Sequence, residues 1–550
     1  MRRTLAFAFL ILASGACGHD APPAKPPAAL ASANPPDAAA PPAFGPKDID
    51  AKLHAAWQTA GVTPAARADD ARWLRRAYLD LIGALPAPET VTSFVADASE
   101  GKRAKLVDEL LASPGYAEHW SVYWDDELMG RARAGDLDRM AFRAWLQEQF
   151  AKNVPWDKVV YALITATGQN SVGGARAKTV GQAQAALADN DDVEGSVNYV
   201  LRFRDTPQDF AGSASKTFLG VQIQCAQCHD HKTEKWKQQD FDKFAACFTR
   251  TQLVPLDDKG MKGIKRVEVR DLDKAAPRFQ KNGDLAPIVK ASPTALDGTA
   301  MSGNVRQAVG AWITKNPWFA QETVNRAWAH FLGRGFVDPV DDLRPSNPPE
   351  APELFDALTK DFGEHGYDLR HLFRTIALSE AYALSPSPAP GQKPGPPQLW
   401  SRFRMTPLGP EELLNAIFQA AGPPRRGKVD VDEQKERLRQ LYSFVFDVDE
   451  EFDRPSYEGT LTQALTMLNG KVVAGASNAA QSSVISGLVA NASMSDAQRV
   501  EALYLRSVSR RPTAAEQDEW TKLLASTPKA TALEDLQWTL LNSAEFIFNH

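Results

Sequence analysis

Cysteine and histidine are scarce in this chain of 550 residues, which contains four cysteines and nine histidines. So few cysteines exclude a fold that disulfide bonds hold together, as in many small exported domains. Stability must come from packed apolar side chains, and 43% of the residues are hydrophobic, which is enough for cores of ordinary size. The length predicts more than one domain or one large composite domain.

An excess of positive charge is also lacking. Lysine and arginine number 62 against 68 aspartates and glutamates, and the two signs are interleaved along the chain. Nucleic acid is therefore excluded as the expected partner, because binding its phosphates needs a basic surface. The sequence has no serine nucleophile elbow, phosphate-binding loop or His-Glu-x-x-His motif, so it assigns no enzymatic reaction. The acidic segment of residues 446–455 lacks the glycine and distal glutamate of an EF-hand and is interpreted as a solvated loop.

Residues 1–17, MRRTLAFAFLILASGAC, have the pattern of an export signal peptide. Two arginines precede an apolar run from Leu5 to Leu12, which is too short to span a bilayer as a helix. Small residues then lead to Cys17, as at the cleavage site of a bacterial lipoprotein, where the cysteine carries the lipid. Cleavage by an ordinary signal peptidase after Gly15 or Ala16 is the alternative. We expect an exported protein that is anchored to a membrane by its N-terminal lipid, in the periplasm or at the cell surface.

A segment rich in proline and alanine follows, over residues 18–46. It shows no hydrophobic periodicity, and this composition is typical of semi-rigid linkers that do not pack. We expect a spacer that lies outside the fold and holds the folded part away from the membrane.

Most of the chain after the spacer shows helical periodicity. In DDARWLRRAYLDLIG, Trp73, Ala77 and Leu81 recur every four residues, and the arginines fall on the other face. Similar patterns recur to the end of the chain and predict a mainly α fold. We predict an N-terminal helical domain over residues 47–250 and a C-terminal helical domain over residues 301–550.

The clearest strand signal lies between these two domains. Val267 and Val269 alternate with polar residues in GIKRVEVRDL, and Ile264 precedes them. We therefore predict that residues 251–300 are a connecting segment with a small β-hairpin near residues 264–272.

Two of the four cysteines occur together in the stretch CAQCHDH, within the predicted N-terminal domain. In an exported protein, Cys-x-x-Cys-His indicates attachment of a c-type haem. The two thiols bond to the vinyl groups of one haem, and the adjacent histidine reaches the iron. Cys225 and Cys228 are then the anchors and His229 is the proximal ligand. A histidine two residues later, His231, has no role in this interpretation.

Three other interpretations of the motif remain open. An exported protein could carry a disulfide between Cys225 and Cys228. Zinc could use both cysteines with His229, His231 or both, although no second ligand pair follows at a recognisable spacing. The cysteines could also be structural thiols without a cofactor. Cys247 fits none of these sites, and its apolar neighbours predict a buried, small hydrophobic residue.

The sequence does not single out a sixth ligand for a haem iron, and a five-coordinate iron is equally compatible with it. The residue types that could serve are methionine and histidine. The candidates are Met261, Met301, Met405, Met467, His119, His330 and His371.

The stretch from Phe218 to Phe248, which contains CAQCHDH, resembles the core motif of the planctomycete cytochrome-like proteins. Chains of that family pair two domains of unknown function, numbered fifteen forty-nine and fifteen fifty-three. Segments such as LVDELLASPGYAEHW resemble the first domain, and NPWFAQETVNRAWAHFLGRG resembles the second. The likeness covers nearly everything after the spacer. It departs from the family pattern at His119, where an arginine is usual, and at Lys232 and Thr233, where Pro-Phe is usual.

The resemblance implies a cytochrome-like protein with one covalently bound haem and a role in electron transfer or haem redox chemistry. Its partner would be a redox protein or another protein of the cell envelope. The family's biochemical role is unknown, and its cytochrome label rests on the same motif. Two other functions therefore stay open: a scaffold of the envelope with a zinc or disulfide clip at Cys225 and Cys228, and an envelope enzyme of unknown substrate.

Overall fold

The computed structural model describes residues 44–550, except 131–135, 233, 258–261, 389–390, 424–429 and 447–459. The predicted signal peptide with Cys17, nearly all of the spacer, Met261 and the acidic segment after Phe446 lie outside the described residues. Among the described helices, none has both the length and the apolar character that crossing a membrane requires.

Helices dominate the chain before residue 250, and the first of them begins at the last residue of the predicted spacer. They are α1 (Pro46–Ala60), α2 (Asp70–Ile82), α3 (Pro88–Ala96), α4 (Lys102–Ala112), α5 (Pro114–Met129), α6 (Arg139–Ala151), α7 (Trp156–Thr165), α8 (Val180–Leu187), α9 (Val197–Arg202), α10 (Pro207–Leu219) and α11 (Gln238–Ala245), with short 3-10 helices at Gln224–Gln227 and Ala246–Phe248.

The rest of the chain is also mainly helical, so the predicted fold class is confirmed. The helices are α12 (Pro277–Gln280), α13 (Ala286–Lys290), α14 (Val305–Lys315), α15 (Pro317–Leu332), α16 (Pro352–Glu364), α17 (Leu369–Ala377), α18 (Glu380–Ala383), α19 (Pro410–Ala421), α20 (Val431–Phe446), α21 (Leu461–Asn469), α22 (Lys471–Ala476), α23 (Ser483–Ala490), α24 (Asp496–Val508), α25 (Ala514–Ser526), α26 (Lys529–Leu541) and α27 (Ala544–Ile547), with 3-10 helices at Gly283–Leu285 and Pro397–Leu399.

Two small antiparallel sheets complete the described fold. The first has the order β1 (Gly168–Gln169), β3 (Val267–Asp271) and β2 (Thr251–Pro255). The strand signal at Val267 and Val269 corresponds to β3, and both valines are buried. The hairpin begins earlier than predicted, because its other strand is β2, and β1 joins it from the predicted N-terminal domain. The second sheet pairs β4 (Thr406–Pro407) with β5 (Phe548–Asn549).

Helix α2 shows how the elements form and where the sequence pattern misled. The Asp69 carboxylate accepts a hydrogen bond from the backbone N–H of Arg72 and so caps the first turn. The apolar face is buried as predicted, but Arg75 and Arg76 are buried too. Arg76 donates to backbone carbonyls of Tyr382 and Leu384. The face on which the pattern places these arginines is therefore buried as well, because α2 is enclosed on both faces.

Two hydrophobic cores account for this enclosure. The larger contains residues of α1 to α7 and α9 to α18, with Leu505 of α24, and so takes side chains from both predicted domains. The smaller is built mainly by α19, α24 and α26, and it also includes Leu79 of α2 and Leu85. Helix α2 therefore contributes to both cores. The predicted boundary at residues 251–300 does not coincide with a division between these cores.

Candidate functional site

The Cys-x-x-Cys-His stretch lies at the surface, just after the end of α10. Gly220 ends that helix with φ of 65°, a left-handed conformation that glycine adopts without steric cost. Val221 and Ile223 are buried and fix the chain to the larger core before the short 3-10 helix begins. Cys225 and Cys228 are both exposed and carry free thiols. The structure thus presents the two sulfurs to solvent from one short turn.

The next residue, His229, is exposed as well, and one of its ring nitrogens makes a hydrogen bond. Nδ1 lies 2.8 Å from the backbone carbonyl oxygen of Asp230. Because a carbonyl oxygen only accepts, Nδ1 carries the proton of the neutral ring. The lone pair is therefore on Nε2, and a backbone carbonyl at the other nitrogen is the usual outer-shell partner of a metal-binding histidine.

His231 has the opposite arrangement, although it is only two residues away. Its Nδ1 accepts a hydrogen bond of 3.0 Å from the backbone N–H of Glu234, so Nδ1 holds the lone pair. Its own backbone N–H donates to the carbonyl of Trp236 at 2.8 Å. His231 is thus part of the hydrogen bonding that shapes this loop. The two histidines of the motif have different surroundings and different tautomers.

Helix α11 holds the loop from the other side. The backbone N–H of Gln238 donates to the Asp230 carboxylate at 3.0 Å, and its side-chain amide donates to the carbonyl of Gln227 at 3.2 Å. Trp236 is nearly buried, and its ring is in edge contact with that of Trp318 on α15. The stretch, in which Cys225, Cys228 and His229 are exposed, is therefore anchored at both ends.

The donors of this stretch can be compared with what a covalently attached haem and a zinc ion each need. Two accessible thiols and an imidazole with its Nε2 lone pair outward are the groups that a c-type haem needs. A zinc site needs its ligand atoms to converge. In the described part of the chain, the ligand atoms that come within 4.8 Å of one another belong to Asp361, His365 and His371, and the motif forms no such group.

The candidates for a sixth ligand are dispersed through the fold. Met467 is buried in the smaller core, Met301 packs against the larger one, and Met405 is 55% exposed. These three methionines thus have three different environments.

The three candidate histidines have partners of their own. His119 and His330 lie together, with ring centroids 6.2 Å apart, and His330 Nε2 is 3.3 Å from the carbonyl oxygen of Asp80. His371 contacts Asp361. None of these contacts identifies a sixth ligand.

Cys247 is buried, as predicted, in the larger core. Burial raises the pKa of its thiol to about 12, so the thiolate that a metal would need is strongly disfavoured. The interpretation of Cys247 as a small hydrophobic residue is confirmed.

A buried network of carboxylates and guanidinium groups was not predicted. Asp125 of α5 accepts from Arg139 at 2.9 Å and from Arg143 at 2.7 Å, both on α6. Arg143 also pairs with Glu436 of α20 at 2.6 Å, and Arg439 is 3.7 Å from Asp125. Burial opposes the charge of Asp125, but the three guanidinium groups outweigh it and lower its pKa. These charges pair with one another, so the network holds three helices together.

The network has no signature in the sequence, because its members are up to about 300 positions apart and each looks like a surface charge. Only a signal that links distant positions could have identified them.

Comparisons with known proteins find two family models along the chain. Residues 48–253 match the model described as a protein of unknown function (DUF1549), and residues 305–444 match one described as a protein of unknown function (DUF1553). The Cys-x-x-Cys-His stretch lies in the first matched region. No curated protein matches the chain. No solved structure matches it either.

Proposed function

The chain belongs to the family that pairs these two domains of unknown function, and we propose that it is an exported haem protein of the cell envelope. In this proposal Cys225 and Cys228 bind one haem covalently, and His229 binds its iron. The function is electron transfer or another haem redox role, with a redox or envelope protein as partner. Cys17 carries a lipid that anchors the protein to a membrane, and residues 18–46 form the spacer.

The observation that carries the proposal is the contrast between the two histidines. His229 is exposed beside two free, exposed thiols, and its Nδ1 proton is held by a backbone carbonyl. That tautomer leaves Nε2 ready to bind iron without any proton loss. His231 uses its Nδ1 lone pair within the loop, and so it is poorly arranged to act as a second ligand.

A bound haem supplies one-electron chemistry at its iron. The residues of this chain do the rest. The thiols form the two thioether bonds, and the Asp230 carbonyl orients the imidazole of His229. Gln238 holds the loop by its contacts with Asp230 and Gln227. Electron transfer needs a haem edge near the surface, and exposed thiols at the surface meet that requirement.

Expression of the full chain with the cytochrome c maturation machinery tests the proposal. We expect a haem that stays bound on a denaturing gel, shows peroxidase activity there, and gives the absorption spectrum of a c-type cytochrome. The Cys225→Ala, Cys228→Ala double variant should lose this haem, because no thioether can form.

His231→Ala is the matched control, since it changes a neighbouring imidazole that the proposal does not use. It should keep the covalent haem. Wild-type protein that remains colourless but holds one zinc, which His231→Ala releases, would contradict the proposal and favour the scaffold with a zinc clip. A wild-type protein with a Cys225–Cys228 disulfide and no cofactor would favour the disulfide clip.

A further inference from the structure

A second group of potential metal ligands lies in the region matched by DUF1553, at the junction of α16 and α17. We propose that Asp361, His365 and His371 bind a single divalent transition-metal ion, with Zn²⁺ as the reference ion and water completing its coordination. This site is separate from the Cys-x-x-Cys-His stretch and does not depend on the haem proposal.

The buried carboxylate of Asp361 contacts both imidazoles of the cluster. The Asp361 side chain is 2% exposed, and each of its oxygens faces an imidazole. His365 Nδ1 lies 3.1 Å from Oδ1, and His371 Nε2 lies 2.8 Å from Oδ2. A buried carboxylate with two imidazoles is the donor set of many zinc and iron sites with three protein ligands.

The turn between the helices brings the two histidines together. His365 follows the last residue of α16, and Gly366 and Tyr367 both have positive φ, 66° and 61°. This pair of left-handed residues reverses the chain within a few residues. The imidazole rings then stack with their centroids 3.7 Å apart and an angle of 14° between their planes.

The scaffold around the turn is held by contacts that a metal would not disturb. The Asp368 carboxylate caps α17 by accepting from the backbone N–H groups of Arg370 and His371. It also accepts from the side-chain amide of Asn153 at 3.0 Å. Tyr367 is in edge contact with Phe362, and its backbone carbonyl accepts from Trp156. The positions from which the three ligands project are therefore well defined.

Metal binding would shift one proton within each imidazole ring and add one cation without changing the fold. The carboxylate oxygens only accept, as does the Asp361 backbone carbonyl oxygen, which lies 2.9 Å from His365 Nδ1. The ring nitrogens that face them therefore carry N–H groups when both rings are neutral. Each ring becomes a ligand when its proton moves to its other nitrogen, and no net proton is released from a neutral ring. The rings are 35% and 25% exposed, which leaves them room to turn their lone pairs toward one ion.

The donors also indicate which ions to expect. Two nitrogens and one oxygen suit Zn²⁺, Ni²⁺ or Cu²⁺, whereas Ca²⁺ and Mg²⁺ prefer sites made of oxygen alone. Because this group contains no sulfur, a metal bound here lacks the thiolate absorption bands that a metal bound to the cysteine motif would show.

Calorimetric titration of the full chain with Zn²⁺ tests the site. The measurement uses protein with Cys225→Ser and Cys228→Ser, so that the motif contributes no thiolate. We expect one equivalent of Zn²⁺ to bind, and we expect His365→Gln and His371→Gln each to weaken binding at least about 100-fold. His54→Gln is the control, because His54 is an exposed histidine that contacts one carboxylate, Glu380, at 3.1 Å.

Co²⁺ provides a second readout that does not depend on a variant's stability. It should give the visible bands of a nitrogen and oxygen site, without the near-ultraviolet absorption of a cobalt–thiolate bond. Either of two results would overturn the proposal: no stoichiometric binding by the Cys225→Ser, Cys228→Ser protein, or equal binding after His365→Gln and His371→Gln are added to it.

Discussion

Asp80, on α2, is a buried carboxyl whose ionisation should govern how stability varies with pH. Its Oδ2 accepts from the Tyr382 hydroxyl at 2.6 Å, and its Oδ1 accepts from the side-chain amide of Asn549 at 2.7 Å. Burial raises its pKa from 3.8 to about 7, and these hydrogen bonds and Arg76 compensate only in part. Folding therefore favours the protonated carboxyl over most of the acidic range.

The sign and size of the effect follow from linkage between proton binding and folding. The raised pKa means that Asp80 contributes its stability fully below about pH 4, and that this contribution is lost as pH rises to about 7. One unit of pKa corresponds to about 1.4 kcal/mol, so the whole loss is about 4 kcal/mol. Between pH 5 and pH 8 the loss is about 2.5 kcal/mol.

Asp80→Asn removes this titration while keeping a side chain of nearly the same shape. Urea unfolding of both proteins at pH 5 and pH 8 gives four free energies of unfolding. We expect the stability of the wild type relative to the variant to fall by about 2.5 kcal/mol between the two pH values. Contributions from other titrating groups cancel in this difference.

Tyr382→Phe supplies a second comparison. The lost hydroxyl normally lowers the pKa of Asp80, so its removal should extend the loss of stability to higher pH. The reasoning would be refuted if wild type and Asp80→Asn kept a constant difference from pH 5 to pH 8.

Three further predictions concern separate features. Gly83→Ala should destabilise the fold by about 1–3 kcal/mol more than the control Gly61→Ala. Both glycines have positive φ, but only at Gly83 would the new Cβ lie 2.4 Å from His119. Equal melting temperatures of the two variants would contradict this prediction. Arg143→Met should cost about 3–5 kcal/mol in urea unfolding, since it breaks a buried network, whereas Lys178→Met, at an exposed pair with Glu433, should cost under about 1 kcal/mol. Cys17→Ala should move the protein from the membrane fraction to the soluble fraction, and identical fractionation would exclude the lipid anchor.

Much of the fold could be predicted from the short-range spacing of apolar residues. The four-residue spacing of Trp73, Ala77 and Leu81 predicted α2, and the alternation of Val267 and Val269 predicted β3. These signals work because the periods of a helix and a strand repeat within a few residues. The strand β2 was missed because residues 251–255 lie among ordinary loop signals and pair only when β3 is beside them.

The candidate sites divide in the same way. The sequence alone shows the Cys-x-x-Cys-His motif of Cys225, Cys228 and His229, because its residues are neighbours in the chain. Their exposure, and the opposite tautomers of His229 and His231, came only from the structure. The spacing of Asp361, His365 and His371 in the sequence matches no known metal-binding motif, so the sequence did not predict this cluster. His371 was considered only as a ligand for haem iron.

The amino-acid sequence by itself determined the mainly α class, the family and the residues of the Cys-x-x-Cys-His motif. The tertiary structure alone decided which charges are buried. The sequence pattern suggests that α2 has a polar face, formed by Arg75, Arg76 and Asp80. These side chains are nevertheless buried, because α2 contributes to two cores and other elements pack around it. The physical reason is that periodicity reports one apolar face, whereas burial depends on every element that packs around the helix, including residues more than 400 positions away.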